Sequence, residues 1–74
     1  MPSYFDTFGM PDMSIHMMNR LRERGISLAA LSRALMGEPI PGTSSGTIIY
    51  REKAGGVSAI VNATTGRIIT VWQE

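Results

Sequence analysis

TIIYREKAGGVSAIVNATTGRIITVWQ occupies residues 47–73, and in it β-branched and aromatic residues crowd into three short runs. Such residues suit a pleated, half-buried surface. TIIYREK is followed by AGG, a turn; VSAIVNA alternates and is followed by TTG, a second turn; RIITVWQ completes the pattern. Runs of this length joined by Gly-containing turns predict an antiparallel meander of three strands, with room for a fourth. The charges of Arg51, Glu52 and Lys53 are expected to end an edge strand and discourage edge pairing.

Upstream the period changes. In SIHMMNRLRERGIS, residues 14–27, Pro11 or Ser14 can open a helix. The helix should end at Arg24, with Gly25 in the left-handed cap position. On a helical wheel Met17, Met18 and Leu21 share one face, with Ile15 at its edge. His16, Asn19, Arg20 and Glu23 share the opposite face, and Arg24 sits at the boundary. Ser27 then caps a second helix, LAALSRALM, with Leu28, Leu31 and Leu35 as its apolar stripe and Gly37 as its stop. GEPIPGTSSG, residues 37–46, reads as a loop of about ten residues. In residues 1–13, Tyr4, Phe5 and Phe8 predict a short strand or a strap over the core. The whole chain, 1–74, reads as one α+β domain: two N-terminal helices (residues 14–36) packed on an antiparallel meander (residues 47–73).

A chain of 74 residues has a thin core, since a domain this small buries only about 60% of its unfolded surface. It has no cysteine and one histidine, so disulfides and thiolate metal sites are excluded and no cofactor is expected. Packing must stabilise it, and the thin core with an open sheet edge suggests a homodimer. Net charge is only +1, but Arg20, Arg22, Arg24 and Arg33 face Glu23 alone across residues 14–33. Local fields of this kind steer anionic partners. No apolar run approaches the roughly 18 residues of a membrane span, and the N-terminal residues do not resemble a signal peptide. A cytoplasmic protein with no membrane partner is expected.

His16 is the one side chain of the type that exchanges protons near neutrality. Arg20, four residues on, favours the neutral imidazole and can hold a phosphate oxygen. A base beside a phosphate clamp is the minimum for metal-free RNA cleavage by the ribose 2′-hydroxyl. The same pair also fits an exposed histidine on a basic helix. Arg22 and Arg24 can track an RNA backbone, or be a solvated face that suits the helix C-terminus. Thr70 interrupts IITVW and is either ordinary strand filler or a hydroxyl donor to phosphate. Tyr50 and Trp72 can stack bases or belong to the core. Arg67, entering the last strand, is a further candidate nucleic-acid contact.

His16, Arg20, RERGIS, a following helix, a tyrosine strand and the closing G-x-IITV at Gly66 to Val71 together resemble a family of small bacterial and phage domains of uncharacterised function. That family is similar to the RelE-like and colicin-type ribonuclease toxins, which share a metal-independent superfamily with barnase and EndoU. The resemblance covers most of the chain and implies roles at matching positions: His16 as acid/base, Arg20 on the scissile phosphate, Thr70 as hydroxyl partner. It further implies an RNA substrate (tRNA or mRNA) and an antitoxin or immunity protein. The expectation is a toxin-like metal-independent endoribonuclease. The alternative is a non-catalytic phage or mobile-element protein that binds a host protein or RNA through the basic helix face.

Overall fold

The computed structural model describes residues 3–52 and 56–73. Three helices, α1 (Tyr4–Phe8), α2 (Ile15–Glu23) and α3 (Leu28–Leu35), precede four strands, β1 (Glu38–Pro41), β2 (Thr47–Arg51), β3 (Val57–Asn62) and β4 (Ile68–Gln73). The strands form one antiparallel sheet in the order β1-β2-β3-β4. The α+β class and the helices packed on a meander agree with the sequence pattern.

The helical hairpin is set by its caps. Ser14 Oγ accepts from Met17 N–H at 3.1 Å, and Ser27 Oγ accepts from Ala30 N–H at 3.1 Å. Gly25 has φ +69°, its N–H donates to Arg22 O, and Ile26 N–H donates to Leu21 O at 2.9 Å. This double closure is a Schellman motif, and its apolar pair, Leu21 and Ile26, is buried. Tyr4, Met17, Leu21, Ile26, Leu31, Ala34 and Leu35 meet Tyr50, Val57, Ala59, Val61, Ile68 and Val71 of the sheet.

Four expectations change. The aromatic segment is not a strand, although Tyr4, Phe5 and Phe8 do pack against the core. It is the short helix α1, with Ser3 N–H donating to Asp6 Oδ2 at 3.2 Å. The loop over residues 37–46 holds strand β1, which its prolines disguise. Gly42 N–H points at Thr47 O, so by alternation Ile40 and Glu38 also face β2, while Pro39 and Pro41 face outward where no donor is needed. β2 is therefore an inner strand. Arg51 and Glu52 end it without guarding an edge, and Lys53 lies outside the described residues. Finally, Met18 and Leu28 are 47% and 60% exposed. The nine-residue α2 buries only the narrow stripe of Met17 and Leu21, and Leu28 sits on the first turn of α3, ahead of the stripe Leu31, Ala34 and Leu35 that meets the sheet.

Both sheet edges are blunted, so the expectation of an open edge is not met. On β1 the outward positions are prolines. On β4, Ile68 N–H donates to Asp12 O at 3.0 Å, and Val71 O accepts from Arg24 Nη1 at 2.6 Å. α1 is tied to the same end of the sheet: the Tyr4 hydroxyl donates to Gly66 O and accepts from Asp12 N–H at 3.2 Å.

Gly66 and Gly46 both have positive φ, +79° and +80°. A Cβ at Gly66 would lie 2.6 Å from the Phe8 ring, whereas at Gly46 nothing lies within 4 Å. Left-handed backbone costs an alanine about 1–2 kcal/mol at either site, and the overlap adds roughly 1–3 kcal/mol at Gly66 alone. Urea midpoints should therefore fall further for Gly66→Ala than for Gly46→Ala. Equal losses would show that Phe8 yields without resistance.

Candidate nucleic-acid interface

α2 lies along β4. Asp12, two residues before the Ser14 cap, bridges Arg67 and Ile68 at the start of the strand. Arg24, at the other end of the helix, reaches Val71 O. The lengths agree: His16 to Arg24 rises about 12 Å in a helix, and Ile68 to Val71 spans about 10 Å of strand. His16, Arg20 and Arg24 recur every four residues and follow one slowly turning stripe. The Arg24 hydrogen bond fixes the C-terminal end of that stripe at the outer edge of β4. Arg67 is exposed at the opposite end, where β4 begins.

His16, Arg20, Arg22 and Arg24 are all exposed. Among the described residues the ion pair found is Arg33 with Glu52 at 3.3 Å, and no carboxylate engages Arg20, Arg22 or Arg24. Arg24 uses one of its donors on the sheet and keeps the rest at the surface. His16 has no hydrogen-bond partner among the described residues, so nothing there selects its tautomer.

Thr70 stands apart from this group. The register Ile49↔Ile60↔Thr70 puts it on the sheet face turned away from the helices, where it is half-buried. The cause is a β-bulge opposite Ile60 and Val61, which leaves Ile69 as the extra residue of β4. Among the described residues no hydrogen bond joins His16, Arg20 and Thr70. The stripe and Thr70 flank the same strand from opposite sides.

Tyr50 is 2% exposed, with its ring 5.7 Å from that of Tyr4 in an edge-on contact. It packs the core and offers no surface to a base. Burial pushes its hydroxyl above the ordinary phenol range, against a lowering hydrogen bond with Thr7. Trp72 is half-buried on the far face, in register with Ser58.

Sequence reasoning did not foresee a groove of about 300 Å³ between α2 and α3, lined by Met18, Leu21, Arg22, Ile26 and Leu28. Its signal was present as two surplus apolar residues, Met18 and Leu28, more than the two short helices can bury. Among the described residues no cluster of three or more His, Asp or Glu side chains is disposed to hold a metal ion, and no helix is long and apolar enough to cross a membrane. No family model matches the chain, and no curated protein or solved structure is significantly similar to it.

The Tyr50 environment has a pH consequence. A phenol raised above its unfolded value, about 10, stabilises the fold fully below that pH and loses the contribution as pH rises through the folded value. The urea midpoint of wild type relative to Tyr50→Phe should be level up to about pH 10 and fall above it. A difference that stays constant to about pH 11 would remove Tyr50 as a source of pH dependence.

Proposed function

We propose that this domain binds RNA through the outer face of α2, with Arg20 and Arg24 as the principal phosphate contacts, His16 on the same stripe and Arg67 at the start of the adjoining edge of β4. One observation carries this reading: Arg20 and Arg22 are exposed on the last turn of α2 with no carboxylate partner among the described residues. The negative end of a helix dipole is worth about 0.3–1 kcal/mol to a nearby cation, and a single arginine would satisfy it. The chain supplies three within five residues, 20–24. Guanidinium groups hold phosphate oxygens in pairs, and a row about 12 Å long matches the reach of two or three consecutive phosphates. The reading is of a binding protein, with no chemistry required.

Each phosphate-bound arginine contributes about 0.7 to the salt slope on single strands. Arg20→Ala and Arg24→Ala should each flatten the plot of log affinity against log salt by about that amount. RNA binding that is undetectable, or slopes unchanged in both variants, would discard RNA and leave an acidic protein as the partner.

The metal-independent ribonuclease is the second reading, and the Arg24–Val71 hydrogen bond favours it. That bond holds the His16–Arg20 stripe beside the strand that carries Thr70. A ribose-phosphate crossing the edge of β4 would meet both. His16 would take the 2′-hydroxyl proton as the oxygen bonds to phosphorus, the P–O5′ bond would break, and the leaving oxygen would take a proton back from the imidazolium. The products are a 2′,3′-cyclic phosphate and a 5′-hydroxyl. General acid–base catalysis contributes about 10²–10⁴-fold, so His16→Ala should lower cleavage by that factor while RNA affinity holds. Thr70→Val should lower it too, and Thr70→Ser should keep it. Wild-type protein that yields no new 5′ ends at any concentration removes cleavage and leaves binding intact.

A further inference from the structure

The sheet has a second face, and its composition is unlike that of a solvated sheet. The register sets Ile40, Ile49, Ile60 and Thr70 in one row across all four strands. The next row is Glu38, Arg51, Ser58 and Trp72. None of these eight belongs to the core cluster that holds the helical side chains. An antiparallel sheet with one solvated side normally alternates apolar inside and polar outside. Here both sides carry apolar residues. Glu38 and Arg51 are the two charged residues of these rows and cancel.

We infer that this face pairs with the same face of a second copy, giving a two-fold dimer with the helices outside. Three observations select a second copy. The first is charge: rows that sum to zero attract neither a nucleic acid nor an anionic membrane, whereas the adjacent α2 face does carry net charge. The second is pattern. With the two-fold axis parallel to the strands, each row meets itself reversed. Ile49 then faces the partner's Ile60, and Ile40 faces the partner's Thr70. Arg51 comes over the partner's Ser58, and Glu38 over the partner's Trp72. The central oppositions of Ile49 and Ile60 are apolar on apolar, and at the rim the Trp72 indole N–H can donate to the partner's Glu38 carboxylate. Aligned packing of two sheets about 10 Å apart accommodates this arrangement.

The third observation concerns the sheet edges. Pairing through sheet edges is not the route, because Pro39 and Pro41 block β1 while Asp12 and Arg24 occupy β4.

The test is mass in solution. Wild type should sediment at 16.2 kDa, twice the chain mass of 8.1 kDa, with dissociation on dilution. Ile60→Lys should sediment as a monomer with an unchanged helix and sheet spectrum. Ile15→Lys, at an exposed position on α2, should remain dimeric. The chain has no cysteine, so cross-linking gives an independent reading should Ile60→Lys not fold. A mixture of Ile49→Cys and Ile60→Cys chains, treated with a short bis-maleimide that spans sheets about 10 Å apart, should give the hetero-cross-link in excess over either homo-cross-link. A wild type that stays at 8.1 kDa to millimolar concentration overturns the inference. So does a dimer that gives no hetero-cross-link.

Discussion

Ile68 and Val71 stand three residues apart on β4, yet both turn toward the helices. A regular strand cannot do this, because its side chains alternate. The bulge at Ile69 absorbs the odd residue, and most of the remaining arrangement depends on it. Two apolar contacts reach the core from one edge strand, and α2 packs along them with Met17 and Leu21. Arg24 can then reach the Val71 carbonyl. Thr70 and Trp72 are thrown to the far side, beside Ile60 and Ser58. One inserted residue thus divides β4 between two surfaces of different character.

Those surfaces are electrostatically distinct. The helical layer and the β4 edge carry His16, Arg20, Arg22, Arg24 and Arg67, against Glu23 in α2. The far rows of the sheet carry one charge of each sign. An anionic partner on the first surface does not compete with an apolar one on the second. Two copies joined sheet to sheet would hold their basic stripes on opposite sides of the assembly, with α2 outermost in each.

Much of the framework could be read from the sequence because local chemistry fixes it. Gly25 and Ser27 mark helix ends directly, Ser14 is one of the two starts the sequence offers beside Pro11, and the strand runs of residues 47–73 have turns between them. What escaped depends on long-range placement. β1 contains two prolines in four residues, a composition that reads as loop until a neighbouring strand is known to need donors from only one side. Residues 4–8 are too few to show a helical period, and their helix is held by Tyr4 reaching the turn at Gly66. For the site, the spacing of His16, Arg20 and Arg24 revealed a stripe. It did not reveal which side of the sheet Thr70 faces, since a bulge leaves no mark in IITVW. Tyr50 was ambiguous because a core aromatic and a stacking aromatic have the same neighbours in sequence.

The bond from Tyr4 to Gly66 joins residues 62 apart. Closing so long a loop costs about 3.7 kcal/mol in chain entropy at first contact, by the logarithmic length dependence. A five-residue helix has no stability of its own to offset that. The helical hairpin and the β-hairpins, by contrast, close over short loops. Chain entropy on this scale favours an order in which the sheet and α2–α3 assemble before α1 latches onto the turn at Gly66. On that order α1 is the element most readily released, and a protease that samples brief openings would meet it before any strand.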